Sequence, residues 1–163
     1  MDLPKRKHPR LKDYDYSQNG AYFITICSYE KKKIFSSIIR NTDGETENIL
    51  SKFGIIADDQ IKCISERFSN AAVDSYVIMP NHIHLLISLS NDAAGASPRP
   101  TISDIVCAYK SFVSRECRKE DSELKVFQTS FHDHIVRNEN SYQQIWNYIE
   151  TNVQRWEEDC FYI

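Results

Sequence analysis

The chain has 163 residues, 41% hydrophobic and 26% charged, a size and balance suited to one globular domain. Four glycines and five prolines are too few for a low-complexity chain, and no apolar run is long enough to span a bilayer. Net charge is −3 but uneven: residues 1–40 hold nine Lys/Arg against four Asp/Glu, and the remainder eleven against nineteen.

The basic excess sits in Lys5, Arg6, Lys7, Arg10 and Lys12 and again in Lys31, Lys32 and Lys33. Such clusters suit phosphate contacts, although a solvated surface reads the same way. Met-Asp-Leu-Pro and a basic stretch open the chain without the apolar segment of a signal peptide. Cys27, Cys63, Cys107, Cys117 and Cys160 are scattered and form no C-x-x-C pair. The expectation is a cytoplasmic protein with reduced thiols, one domain over 1–163 and a basic N-terminal arm over about residues 1–18.

In chain order, Asn19-Gly20 is a turn signal before Ala21–Cys27, a strand rich in aromatic and β-branched residues. Asn41–Glu45 is a polar loop. Apolar residues at three- and four-residue spacing predict a helix from Ile49 to Phe68. Val73–Met79 is a strand that Pro80-Asn81 interrupts, and His82–Leu89 is its neighbour. Residues 91–100 are small, polar and proline-bearing, which predicts a surface loop. A helix follows, capped by Thr101 or Ser103, then a strand over Phe131–Val136 and a helix over Ser141–Trp156. The first six elements run β-α-β-β-α-β, which predicts an α+β, ferredoxin-like antiparallel sheet with helices on one face. The last helix is an addition to that core.

His82-Ile83-His84 is the most informative segment. Side chains alternate along a strand, so both imidazoles point one way and Ile83 the other. Two imidazoles so placed can share a cation, though they also suit a polar sheet face. On the last helix Tyr142, Ile145, Trp146, Ile149, Val153 and Trp156 form the core stripe. Tyr148 lies off it, and Asn152 lies one turn further along the same side. A tyrosine can act as a covalent nucleophile, and an amide oxygen can reach a neighbouring cation.

Tyr76–Ile87, which contains Pro80-Asn81-His82-Ile83-His84, resembles the signature of the IS200-like, single-tyrosine HUH transposases. Gly20–Ile26, Phe131–Glu139 and Tyr148–Asn152 fit the same family in the same order, most closely the REP-associated tyrosine transposases. Val153 stands where the family usually has proline, and Phe127 where a tryptophan is frequent.

The resemblance implies that His82, His84 and Asn152 hold Mg²⁺ or Mn²⁺ and that Tyr148 is the nucleophile. The substrate would be single-stranded DNA beside hairpin-forming repeats, cut through a 5′-phosphotyrosine link and rejoined by strand transfer. Lys5 to Lys12 and Lys31 to Lys33 would grip phosphates, and Tyr14 and Tyr16 could stack on bases. It also implies a nucleoid-associated bacterial protein, monomer or homodimer.

His134 is a candidate supporting group or DNA contact, and Asp133 a candidate orienting carboxylate. An alternative joins His132 and His134 to His82 and His84 in a four-histidine metallohydrolase that uses water. A further one is a hairpin-binding protein that does not cut. An RNA-binding module is disfavoured by the absence of an aromatic RNA-binding motif on the strands.

Overall fold

A computed structural model describes residues 20–90 and 99–163; the arm with Lys5, Arg6, Lys7, Arg10, Lys12, Tyr14 and Tyr16, and most of the 91–100 loop, lie outside the described residues. The strands are β1 (Gly20–Cys27), β2 (Ser36–Arg40), β3 (Thr46–Leu50), β4 (Ala71–Ile78), β5 (His82–Leu89) and β6 (His132–Val136). The helices are α1 (Lys52–Lys62), α2 (Ile64–Arg67), α3 (Ile102–Glu120) and α4 (Glu139–Thr151), with 3₁₀ turns at Tyr29–Lys31 and Trp156–Glu158.

The main sheet runs β4-β5-β1-β6, every neighbour antiparallel. Each crossover skips one strand, which then lies between the two it joins. This is the ferredoxin-like arrangement expected from the element order.

Alternation along β1 and β5 divides the sheet into two faces. Tyr22, Ile24, Ile26, Ile83, Leu85 and Ile87 are buried in one apolar cluster with Ile61, Ile64, Ile105, Val106, Tyr109 and Val113 of the helical layer. The other face carries Phe23, Thr25, His82, His84 and Leu86 in register. Helix α4 packs on that face, against β4 and β5. A bulge between Val73 and Ser75 helps to seat it. Asp74, the extra residue there, accepts from Ser88 Oγ and from the hydroxyl of Tyr142, the latter at 2.8 Å. Tyr142 is thus tied down by a hydrogen bond as well as by packing.

Local caps set the helix starts. Thr101 Oγ1 accepts from Asp104 N at 3.2 Å, while Asp104 accepts from Thr101 N at 2.7 Å. Asn138 Oδ1 accepts from Ser141 N at 2.8 Å, so α4 begins before Ser141. It ends at Thr151, short of the expected Trp156, which belongs to the 3₁₀ turn.

The expected helix from Ile49 to Phe68 is shorter and broken. Ile49 belongs to β3, Ser51 caps α1, and Cys63 separates α1 from α2. Strands β2 and β3 form a hairpin missing from the sequence reading. Nine of its ten residues are exposed or half-exposed, and neither strand alternates apolar with polar residue types. Asn41–Glu45 is its turn, with Gly44 at φ 81°, a region that favours glycine. Gly54 seats the hairpin on α1: a Cβ there would stand 2.0 Å from the Phe35 carbonyl oxygen.

Candidate active site

Two strands and one loop place the histidines. In β5, Ile83 enters the core while His82 and His84, 0% and 1% exposed, turn toward α4. Asn81, just before the strand, donates from Nδ2 to the Phe161 carbonyl at 2.9 Å, which fixes its amide. Its Oδ1 then accepts from His82 Nδ1 at 2.8 Å, leaving His82 Nε2 with a free lone pair. Thr25, paired with His84 across β1 and β5, places Oγ1 at 2.8 Å from His84 Nδ1. With Nδ1 donating to that hydroxyl, His84 Nε2 is free as well.

The two Nε2 atoms stand 3.1 Å apart. Without a cation, either one hydrogen sits between them or their lone pairs oppose each other. Neighbouring donors about 2.1 Å from a shared cation lie about 3.0 Å apart, so the spacing suits a common ligand site.

Burial disfavours charge on either ring. It lowers the His82 pKa to about 4, with the nearby Asp159 carboxylate opposing the shift. His84 lies well below its ordinary value, from burial first and from His82 second. Both rings are neutral at pH 7, the form that binds metal. The 3.7 Å approach of Asp159 Oδ2 to His82 Nε2 is accordingly not an ion pair at that pH.

Helix α4 and the turn after it bring the remaining groups. Tyr148, 37% exposed, holds its hydroxyl 3.5 Å from His84 Nε2 and donates to Asp159 Oδ2 at 3.2 Å. Its ring packs edge-on to His84 and to Phe23, which itself stacks on His84. Burial, then the Asp159 charge, push the Tyr148 pKa up to about 12, against a hydrogen bond from Asn152. Asn152 is buried and donates from Nδ2 to Asp159 Oδ2 at 2.9 Å, while its Oδ1 has no hydrogen-bond partner. An orphaned buried amide oxygen is costly unless something supplies positive charge. The neutral imidazoles and Asp159 make a mixed nitrogen and oxygen donor set that fits a divalent cation, and the Asn152 amide adjoins it through Asp159.

Asp159 is the member the sequence reading missed. Among the described residues, His82, His84 and Asp159 are the group of His, Cys, Asp and Glu whose ligand atoms all lie within 4.8 Å of one another. In the sequence it is the last of three acids, Glu157-Glu158-Asp159, and nothing there sets it apart. A cavity of about 310 Å³ opens onto Tyr148, Asn152, Arg155 and Asp159 from outside. Phe161 covers the other side, its ring 4.5 Å from His82.

The other candidates lie elsewhere. Asp133 pairs with Ile24 across β1 and β6, so it faces the helical layer, away from the histidines. An orienting role for it at this site is therefore withdrawn. His132 and His134 share the histidine face, but exposed on β6, with β1 between them and His84. They take no part in the ligand group, which removes the basis of a four-histidine centre. Lys31 and Lys33 do reach the site's rim, each Nζ 5.7 Å from a ring centroid, of Phe161 and Tyr162 respectively. Lys32 turns to Glu30 at 3.2 Å.

Several known proteins resemble the chain. An uncharacterized protein of Haemophilus influenzae is 33% identical over 173 residues, spanning 97% of this chain and 93% of that one. The structure of a REP-associated tyrosine transposase bound to a REP hairpin superposes with a TM-score of 0.58 at 14% identity, over 91% of this chain and 74% of that one. A candidate transposase from Deinococcus radiodurans gives a TM-score of 0.51 at 19% identity, over 87% and 97%. At these identities the two structures speak for the fold. Residues 16–152 match the family described as "Transposase IS200 like", and the match takes in the histidine strand, Tyr148 and Asn152. The chain belongs to the IS200-like transposase family.

Proposed function

We propose that this transposase-family protein cuts and rejoins single-stranded DNA through a covalent tyrosine link, with a divalent cation held by His82, His84, Asn152 and Asp159. The observation that carries the reading is that ligand atoms of His82, His84 and Asp159 lie within 4.8 Å of one another, with the Tyr148 hydroxyl 3.5 Å from His84 Nε2 and the buried Asn152 amide bonded to Asp159. When bound, Mg²⁺ or Mn²⁺ would polarise the scissile phosphate and offset the Asp159 charge that holds the Tyr148 proton in place.

The chain's own groups supply the rest. The cavity beside Arg155 admits the strand to Tyr148. The Tyr148 oxygen bonds to phosphorus as the bond from phosphorus to the 3′ oxygen breaks. The phenolic proton leaves to water in the cavity that opens onto Tyr148, and the departing 3′ oxygen takes a proton from water. A second 3′-OH then attacks the phosphotyrosine, forming a new phosphodiester, and the released phenolate is reprotonated. Phosphodiester energy is conserved, so no nucleotide is consumed.

Hairpin-forming DNA is the proposed substrate, supported by the REP hairpin bound to a structural relative. The protein would work on the nucleoid as a monomer or homodimer.

End-labelled hairpin oligonucleotides mixed with the protein and with Tyr148→Phe, in Mg²⁺, Mn²⁺ or EDTA, test the chemistry on a denaturing gel. We expect a metal-dependent protein–DNA adduct that the variant cannot form. Cleavage without an adduct, unchanged by Tyr148→Phe, would sink the mechanism in favour of water as nucleophile.

A further inference from the structure

Helix α3 carries a polar stripe that the chemistry above does not use. Lys110, Ser114 and Arg118 recur at four-residue spacing with Ser111 beside them, so they share one face. That face and the segment around Lys125 border a cleft of about 550 Å³, which Tyr29 also lines. Its lining holds three cations and no carboxylate. That is unusual in this part of the chain, where beyond residue 40 Asp and Glu outnumber Lys and Arg nineteen to eleven.

The cations are arranged, not scattered. Lys110 Nζ is held in the wall by the carbonyls of Gln128 and Thr129, at 2.6 and 3.0 Å. Lys125 Nζ lies 5.1 Å from the Tyr29 ring centroid. Arg118 and Lys125 are exposed and form no ion pair among the described residues. On the outer face of the same helix, by contrast, Arg115 and Lys119 both pair with Glu116.

The cleft also connects to the active site. Gln128 N donates to the Cys27 carbonyl at 3.0 Å and Tyr29 N to the Val126 carbonyl at 2.9 Å, and Cys27 lies directly opposite His82 in the sheet. Glu30 and Lys31, both at φ 54°, then turn the chain over the sheet end. Tyr29 is left at the cleft, and Lys31 and Lys33 beside Phe161 and Tyr162 at the site. Cations therefore stand on both sides of this turn, Lys110, Arg118 and Lys125 at the cleft and Lys31 and Lys33 toward the histidine face, with Glu30 and Lys32 paired between them.

We propose that this cleft is a second DNA-binding site, which grips the phosphodiester backbone outside the scissile phosphate through Lys110, Arg118 and Lys125. The inference rests on the strand-cleavage reading for its substrate class but assigns the cleft no part in the chemistry. Hydroxyls of Ser111 and Ser114 and the Tyr29 edge add neutral hydrogen-bonding groups, the usual complement to cations along a nucleic-acid backbone.

Fluorescence anisotropy with two probes tests it: a DNA stem-loop bearing a single-stranded tail, and the tail alone. The full chain is compared with Arg118→Glu/Lys125→Glu and with Arg115→Glu/Lys119→Glu, a control of equal charge change on the paired outer face. We expect the first variant to bind the stem-loop at least about tenfold more weakly than the control. Its salt dependence should fall by about two units of log–log slope, for two lost phosphate contacts. Loss confined to the stem-loop places the stem in the cleft; equal loss on both probes places the tail there.

Equal binding by the two variants overturns the proposal, as does a wild-type chain that binds neither probe. Adduct formation at saturating DNA separates this inference from the chemistry. A weakly binding variant that still forms adduct at saturation supports it. Wild-type binding through the cleft without any adduct in Mg²⁺ or Mn²⁺ would leave the cleft standing and remove the cleavage mechanism.

Discussion

Thr25 Oγ1 lies 2.8 Å from His84 Nδ1, so a residue on β1 decides which nitrogen of a β5 histidine faces the site. Removing the hydroxyl while keeping the shape should loosen the ring without emptying the sheet. Thr25→Val is expected to weaken Mn²⁺ binding about 10–100-fold. Isothermal titration calorimetry reads that loss, and a thermal melt in EDTA close to wild type would show that the fold is intact.

Asn152 offers a cleaner separation of binding from stability. Its Oδ1 has no protein partner, so Asn152→Ala costs the cation-free protein mainly the Nδ2 bond to Asp159, about 1–3 kcal/mol for a charged acceptor. On the proposed ligand set the cation also loses Asn152. Mn²⁺ affinity should fall in this variant, and the extra stability that Mn²⁺ confers on the wild type should shrink with it.

The buried imidazoles give a definite pH signature. The His82 pKa is about 4 in the fold against 6.5 as the ordinary value, and His84 shifts in the same direction. Between those values the unfolded chain binds more protons than the folded one, so stability is lost as pH falls from about 6.5 toward about 4. Melting in EDTA across that window should show the loss, and a His82→Gln/His84→Gln variant should show a shallower one. Cation binding at pH 7 should release almost no protons from the rings. Calorimetric heats would then agree between buffers of different ionisation enthalpy.

His132 and His134 supply the contrast. Exposed on β6 and outside the ligand group, they are expected to be dispensable for the cation. His132→Ala/His134→Ala should keep Mn²⁺ affinity and adduct formation on saturating DNA within about threefold, as expected of surface substitutions away from the ligand set. A loss as deep as that of His82→Ala would restore the four-histidine centre.

Gly54 tests the fold away from the chemistry. A methyl group there meets the Phe35 carbonyl oxygen at 2.0 Å, so the hairpin or α1 has to move. Gly54→Ala is expected to destabilise the protein by about 1–3 kcal/mol, read by denaturant unfolding.

How much the sequence disclosed depended on where a residue's partner lay. The His82-Ile83-His84 alternation disclosed which face carries both histidines because period-two patterning is a local property of one buried strand. The Tyr148 and Asn152 pair was legible for the same reason, one helical turn apart. Asp159 was not, because what distinguishes it from Glu158 is a contact across the fold with His82. The β2/β3 hairpin escaped because its half-exposed strands carry little hydrophobic pattern. Asp133 was placed on the wrong side because register with β1, which decides its face, is not written in the segment His132-Asp133-His134 alone.

The sheet that separates the histidine face from the apolar layer also partitions how the gene can vary. Ile83 and His84 are adjacent codons, yet a change in one is judged by whether the protein survives and a change in the other by what the survivor can do. On the proposed cleavage and DNA-binding roles, drift in target preference can accumulate on the α4 side and around the α3 cleft without tolerance being borrowed from the core. A lineage that abandoned mobility could keep this scaffold and retain, lose or retune its grip on DNA independently of its ability to cut.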